Sequence, residues 1–462
     1  MNKHQDFLLE IPYLIQSRSF GLLRERFSAL PPGDIAEALQ ALSHEEKAIV
    51  FRILPHVTAS IIFEYLDIED QVNLIKGLGK EKVAAILNEM SADDRTALFE
   101  ELPGPVVKQL LELLSISERI VAQTLLGYPE NSVGRLMTPN YMSIGTEKTV
   151  EEALAYIRAV GHKKESISTF YVVDDKGKLK SALSLRDILM AEPNTLISSL
   201  LKEDPCLSLF CTHDKEEAVG WFKKYDKDVL PVINQEGHLL GIVTVDDVLE
   251  VAEEEETEDI QKFGGLEALQ ESYISTPLFK LIQKRAGWLV ILFIGELLTA
   301  TAMSFFEDEI SKAVILALFV PLIISSGGNS GSQAATLIIR SLTLIEISLK
   351  DWPTVFLREL SSGLILGTLL GSIGFFRIVL WSMFTPMYGE HWFLVAVTVF
   401  LSLIGVVLWG TLSGAMLPFL LKRFGTDPAT SSAPVVATLV DVTGLVIYFS
   451  VAALVLQHTL LK

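Results

Sequence analysis

Apolar and polar positions alternate along this chain in three successive regimes. Up to about residue 130, apolar side chains recur every three or four residues in short blocks, as in Ile35 to Gln40 and Val83 to Leu87. That is the period of helices with one buried face. Leu30, Leu54, Leu78 and Leu102 stand at a constant interval of 24; three of them precede proline (Pro31, Pro55, Pro103) and Leu78 precedes Gly79. Each proline or glycine is expected to end one helix before the next begins. A fixed period of this kind predicts an all-α superhelical domain over 1–131, whose units bury their apolar faces on their neighbours. A generic helical bundle is the alternative.

Over 132–252 the pattern changes to strand, turn, strand. Phe170–Leu179 and Leu230–Leu239 match at an offset of 60, pairing Val172 with Val232, Gly177 with Gly237, and Asp187 with Asp247. Glu-Glu-Ala opens a helical stretch at 151–153 and again at 216–218. The segment reads as a tandem β-α-β-β-α repeat. It resembles a pair of CBS domains through Leu-Met-Thr-Pro at 136–139, the glycine-turn hairpins, and Ser-Leu-Arg-Asp (184–187) and Thr-Val-Asp-Asp (244–247) opening helices. Such pairs are usually regulatory, and many bind adenine nucleotides. The resemblance places Arg186 and Asp187 where phosphate and ribose are contacted, with ATP as the candidate ligand. Helix capping without a ligand explains the same residues equally well.

An acidic connector follows, assigned as a connecting helix over 253–278. Glu250, Glu254 and Glu258 repeat every four residues and share one helix face. Like charges so placed destabilise a helix unless cations neutralise them. A solvated charged linker is the alternative.

Residues 279–462 form a membrane domain with five expected spans: 287–306, 313–339, about 354–381, 392–421 and 429–456. Each has the roughly 20 apolar residues needed to cross about 30 Å of hydrocarbon. Lys280, Lys284, Arg285, Arg340, Lys350, Arg358, Lys422 and Arg423 lie on one side, against Glu307, Asp308, Glu309, Lys312 and Glu390 on the other. The positive-inside rule then puts the soluble part in the cytoplasm of a cell with the chain in its inner (plasma) membrane, and the C-terminus outside. Gly363, Gly367, Gly371 and Gly374 stripe the third span and predict close helix contact. Five spans make no closed pore alone, so a homodimer with a pore on the twofold axis is expected.

Charge sharpens the division. Of 38 basic and 57 acidic side chains, 11 and 10 fall in 277–462, leaving 27 and 47 in the first part. An acidic surface attracts cations and repels nucleic acid, which is excluded as a partner; lipid and metal ions remain. Cys206 and Cys211 fit a reducing compartment and a structural role. Met1–Glu10 lacks a basic stretch followed by an apolar one, so no cleaved signal peptide is expected.

Asp441 is the residue with the sharpest chemistry. It lies within an apolar span, where a carboxylate costs about 2.5–3.5 kcal/mol and normally faces an ion-bearing cavity. Two copies meeting on a twofold axis would repel, and a hydrated Mg2+ is the natural neutraliser. A protonated or Arg-paired structural aspartate is the alternative, though the last span offers no basic partner. Glu296 is a second intramembrane acid that could line the same path or bond a neighbouring helix. Gly327, Gly328 and Gly331 surround Asn329 in the second span. They are expected to break that helix and free carbonyls for ions, with tight helix packing as the alternative. Pro434 is expected to break the fifth span before Asp441. No phosphate-binding P-loop or HExxH motif occurs, so an ATP-driven pump and a zinc protease are unsupported and no catalytic residue is assigned. A divalent cation gains about 4.6 kcal/mol per 100 mV of inside-negative potential without either.

The order of parts, with Gly-Gly-Asn-Ser-Gly-Ser-Gln (327–333) and Leu-Val-Asp-Val-Thr-Gly (439–444), closely resembles the MgtE family of magnesium transporters over nearly the whole chain. The resemblance implies a homodimer whose pore lies between the second and fifth spans, with ion-binding residues Asp441, Asn329 and Gly328. It makes the connector a plug helix. It implies regulatory Mg2+ at Asp93, Asp94, Glu216, Asp226, Asp246, Asp247, Glu250, Glu254, Glu255 and Glu258, with Glu250 standing where an aspartate is common. The expected function is Mg2+ entry down its gradient, shut by intracellular Mg2+. A broader carrier of Mn2+, Co2+ or Zn2+, and a membrane-tethered CBS sensor without transport, are the alternatives.

Overall fold

The computed structural model describes residues 10–27, 29–201, 206–269, 273, 276–343, 346–457 and 459. The chain divides into two compact units, Met1–Ala252 and Glu253–Lys462. The expected multidomain class is borne out: helical repeats, two small α/β sheets, a connecting helix and, among the described residues, five helices able to span a membrane.

The interval of 24 resolves into two helices, not one. N-caps fall at Pro31, Ser43, Pro55, Asp67, Gly79, Ser91, Pro103 and Ser115, every 12 residues. The prolines do not close helices; they open them, because a proline φ suits the first turn and its missing N–H is no loss there. The boundary midway between them is polar. Ser43 and Glu46 form a capping box, satisfying two backbone donors reciprocally. Most of these helices pack on the next but one, which gives the solenoid its continuous apolar core.

One polar position, buried in three repeats and half-buried in the fourth, recurs along the chain. Lys47, Gln71, Arg95 and Arg119 stand 24 apart. Gln71 Nε2 donates to the carbonyls of Phe63 and Leu66, and Arg95 Nη1 to those of Leu87 (2.9 Å) and Met90, the equivalent carbonyls one repeat on. Helix C-termini leave such carbonyls unpaired, and these side chains satisfy them. Lys47–Asp70 and Arg95–Glu118 are the same ion pair two repeats apart, at 2.5 and 2.7 Å.

The next segment carries two three-stranded sheets. In the first, β1 (Ser143–Gly145) runs parallel to β2 (Thr169–Val173), which pairs antiparallel with β3 (Leu179–Ser184). In the second, β4 (Leu209–Phe210), β5 (Val229–Ile233) and β6 (Leu239–Thr244) repeat that order. The offset of 60 holds in detail. Gly177 and Gly237 take φ +78° and +86° in equivalent turns. Asp174 Oδ1 and Asn234 Oδ1 each accept two backbone N–H bonds there. The hairpin tips also pair reciprocally, Leu179 N–H on the Gly237 carbonyl and Leu239 N–H on that of Gly177.

The last helix of this segment does not stop at the domain edge. It runs without a break from Val245 to Phe263, 19 residues, and ends at Gly264 and Gly265. The expected helix over 253–278 thus starts earlier and stops sooner, because Gly265 at φ +74° turns the chain away. Residues 270–272, 274 and 275 of that expectation lie outside the described residues.

The first to fifth spans are the helices Leu278–Phe305, Val320–Thr343, Trp352–Ser382, Trp392–Arg423 and Ala433–Leu456. The third and fourth cross closely: a Cβ on Gly367 would meet Ile404 Cα at 2.8 Å, and one on Gly371 would meet the Phe400 carbonyl oxygen at 2.8 Å. The glycine stripe is therefore a contact surface, as expected. Two expectations fail. The second span is one continuous helix through Gly327, Gly328 and Gly331, and Pro434 lies in the first turn of the fifth span, where it opens that helix. The glycines serve packing: a Cβ on Gly331 would meet the Gly410 carbonyl oxygen at 2.8 Å and Val436 at 2.8 Å. Ser330 and Thr411 hydroxyls, both buried, bond across the same contact at 2.7 Å.

Candidate functional site

Two groups of carboxylates stand out, one in each unit. In the membrane unit the second and fifth spans touch where chemistry was expected. Gly328 lies against Ala437, one turn before Asp441, with a Cβ on the glycine 3.6 Å from Ala437 Cα. Without a side chain at 328, the second span approaches the fifth and leaves Asn329 exposed on the adjoining face. Asp441 is half-buried, with Glu296 of the first span beside it. Gly295 packs on Thr438, a Cβ there meeting Thr438 Cγ2 at 2.6 Å, which is what brings the two acids together. Glu296 of the first span thus flanks Asp441 of the fifth. Trp409 Nε1 donates to Thr443 Oγ1 at 2.8 Å, tying the fourth span to the fifth one half-turn past Asp441.

In the first unit, six acids crowd together: Glu64, Asp93 and Asp94 of the helical repeats, Glu165, and Asp246 with Asp247. Asp93 is only 7% exposed, and its Oδ1 is buried without a hydrogen-bond partner. Burial, then Asp247, Asp94 and Glu165, hold its carboxyl well above the usual range. Burial pushes Asp247 up to about 7, opposed by its hydrogen bond from Thr244 and reinforced by Asp246 and Asp94. Burial likewise pushes Glu64 up to about 7, although the Ser91 N–H it accepts at 2.8 Å favours its charge. Asp94 and Glu165 are raised by burial and by Asp246. Desolvated like charges need protons or a cation. The oxygen-only donor set suits a hard divalent ion that keeps part of its water. Among the described residues, no three His, Cys, Asp or Glu side chains close tightly enough to grip a bare ion.

Four predicted sensor residues (Asp93, Asp94, Asp246 and Asp247) therefore meet, and two unpredicted acids join them. Glu64 had a readable signal. It occupies the repeat position of Asn88, whose Oδ1 accepts the Ser115 N–H at 2.7 Å, and an acid there adds charge where an amide suffices. Glu165 follows the short helix Gly161–Lys163, and its partners are distant in sequence, so no local pattern marked it. Glu216 and Asp226 sit at opposite ends of the helix Lys215–Tyr225, roughly 15 Å apart. Asp226 caps that helix at φ 49°, a left-handed conformation that aspartate tolerates. Glu250, Glu254, Glu255 and Glu258 all lie on the connecting helix.

Asp187 caps its own helix: the Ser184 N–H donates to Asp187 Oδ2 at 3.0 Å, and the Asp187 N–H donates to Ser184 Oγ at 3.1 Å. Asp247 caps the equivalent helix through Thr244. Arg186 is exposed beside it. The Tyr171 hydroxyl and Thr138 Oγ1 are buried without hydrogen-bond partners. Cys206 and Cys211 are free thiols, half-buried and buried.

Five apolar spans, a carboxylate pair within them and an acid-rich first unit fit the class of multi-pass transporters of divalent cations. Family profiles agree with this class: one described as divalent cation transporter covers 320–451, the MgtE intracellular N domain covers 30–131, and the CBS domain covers 133–194 and 222–254. The magnesium transporter MgtE of Thermus thermophilus is 39% identical over 94% of this chain and 95% of its own length. That of Bacillus subtilis is 30% identical over 97% of both. The chain belongs to the MgtE family of magnesium transporters. Among solved structures, the cytosolic domain of the Mg2+ channel MgtE in complex with ATP covers 53% of this chain and 99% of its own, at 34% identity and a TM-score of 0.51. The soluble part of a magnesium transporter covers 55% and 99%, at 27% identity and a TM-score of 0.52.

Proposed function

We propose that this protein is a homodimeric Mg2+ channel of the inner membrane that admits the ion to the cytoplasm and is shut by intracellular Mg2+. Asp441, Asn329 and Gly328 line the ion path, and hydrated Mg2+ is drawn to the paired carboxylates by charge and by the membrane potential. The exposure of Asn329 in one protomer supports a second protomer across the axis. The basic loops on the side of the first unit support a cytoplasmic N-terminus and an external C-terminus.

The observation that carries the gating is Asp93, buried, unsatisfied and facing Asp247. Without metal, the acids of the helical repeats and of the CBS pair repel, and the arrangement that buries them is disfavoured. Mg2+ relieves the repulsion and favours that arrangement, which differs from the open one in its affinity for the ion. Asp226, Glu216, Glu250, Glu254 and Glu255 supply further weak sites, whose joint occupancy steepens the response. The acids at the start of the connecting helix and the plug at its end belong to one rod, so the sensor biases the gate.

Flux into proteoliposomes, with Mg2+, Mn2+ or Ca2+ outside and Mg2+ varied inside, tests the reading. Mg2+ entry that falls steeply with internal Mg2+ supports it. Entry of Mn2+ in preference to Mg2+ would establish the broader carrier, and no flux at all the sensor alone. ATP is a second proposed ligand of the CBS pair. The buried orphan hydroxyls of Tyr171 and Thr138 and the exposed Arg186 support it, and Asp187 would face the ribose. Calorimetry with ATP against Arg186→Ala decides it: unchanged binding sinks that assignment.

A further inference from the structure

The connecting helix is the most acidic stretch of the chain, yet its last turn holds a cation. The Lys262 ammonium bonds Glu258, one turn earlier on the same helix, and Asp427 Oδ2 at 2.7 Å. Asp427 lies between the fourth and fifth spans. Its other oxygen accepts the Ala429 N–H at 2.8 Å and opens the short turn Pro428–Thr430, just before the helix that carries Asp441. All three side chains are about two-thirds buried, at 30, 37 and 35% exposed. Burial opposes the charge on Lys262, but bonds to Asp427 and Glu258 outweigh it and hold the ammonium above its usual range.

Three neighbouring contacts fasten the same helix end. Thr343 Oγ1, at the end of the second span, donates to Asp259 Oδ2 at 3.2 Å. Phe263 packs against the core of the spans. Gly265 lies so close to Trp288 and Pro434 that a Cβ would come within 2.7 and 3.1 Å of them, and Trp288 Nε1 donates to Ser432 Oγ at 3.3 Å. Glu258, Asp259 and Asp427 would repel one another without a positive charge among them. Burial raises the Asp259 carboxyl and Asp427 adds to that, which is the same repulsion seen from another side chain.

We propose that Lys262 is a built-in counter-cation that latches the connecting helix to the Asp427 loop without metal. It thereby sets how much Mg2+ is needed to close the pore. This rests on the gating reading above. One positive charge among three negative ones leaves the site net acidic, and the partial exposure keeps the pair modest in strength. The latch is therefore a bias toward closure and not a lock, and Mg2+ completes what it begins.

The test uses the full-length protein in nanodiscs and proteoliposomes, with K262M, K262R, D427N and the double variant K262M/D427N. In EDTA, hydrogen exchange over 255–265 should rise about threefold or more in K262M and stay near wild type in K262R. The internal Mg2+ that halves flux should rise about threefold to tenfold in K262M and in D427N, with no further rise in the double variant. Equal exchange in wild type and K262M overturns the latch, as does full additivity of the two shifts. If wild-type flux ignores internal Mg2+, the gating reading fails, while the exchange measured in EDTA still decides whether the latch exists.

Discussion

Asp93 and Asp94 are neighbours with different origins. Asp94 occupies the third helical position, where the other repeats carry Glu46, Asp70 and Glu118, and its oxygen accepts the Ser91 hydroxyl at 2.6 Å. An acid there is what helix capping asks for. Asp93 aligns with Glu45, Glu69 and Ser117, all exposed, yet it is itself buried against Asp247. Its burial comes from docking and not from the repeat. The pH dependence follows in sign. These carboxyls are raised in the folded state, so the fold holds protons that the unfolded chain releases near its ordinary carboxyl range. Stability without Mg2+ should fall as pH rises from about 4 to about 7, the range set by Asp247 and Glu64, and level off above. Asp93→Asn at pH 8 without Mg2+ should raise the melting temperature by a few degrees and abolish most of the stabilisation by added Mg2+. A melting temperature that still rises with Mg2+ as in wild type would remove Asp93 from the sensor. For the path, Asp441→Asn should lower Mg2+ flux about tenfold or more in liposomes while leaving Mg2+-induced stabilisation of the first unit intact. A pure sensor would show no flux to lose.

Helices here are placed by two devices. In the repeats, Gln71, Arg95 and Arg119, 24 residues apart, close the preceding helix, and in the spans, glycines let backbones touch. Arg95 is fully buried, bonded to two carbonyls and to Glu118. Arg95→Met keeps the volume but strands those acceptors, and should cost roughly 2–4 kcal/mol by chemical denaturation. Arg52, exposed with one bond to the Gly77 carbonyl, serves as control and should cost under about 1 kcal/mol on truncation. Gly331→Leu forces a side chain onto the Gly410 backbone, where the neighbour has no flexible end to move. It should lower the thermal stability of the membrane unit by roughly 1–3 kcal/mol or prevent assembly. Gly425, with open space around its Cβ position but φ +75°, should be affected through backbone strain alone.

Over the whole molecule, charge and apolarity are separated along one chain, and a single helix joins the two regimes. The acids Asp246 and Asp247 open that helix and Lys262 nearly ends it, about 24 Å further along. Protons and Mg2+ compete for the same raised carboxyls. Either one relieves the repulsion and favours the same buried arrangement, so the internal Mg2+ needed to halve flux should rise as pH rises from 6 to 8, and a constant value over that range would disconnect the acid cluster from the gate.

Periodicity and charge in the sequence by themselves determined the domain order, the helical repeat, the duplicated α/β fold and the five spans, because burial against neighbours or lipid imposes a regular apolar pattern. Asp441 was legible for the same reason: a carboxylate breaks an apolar run visibly. The second helix of each repeat, the meeting of Glu64 and Glu165 with Asp94, and the clasp from Lys262 to Asp427 were decided by the tertiary structure. Those contacts join residues from 30 to 165 positions apart, and no local pattern encodes them. The glycines of the second span misled for a related reason. Glycine weakens an isolated helix, but here neighbouring backbones repay that loss through contacts available only once the spans are packed.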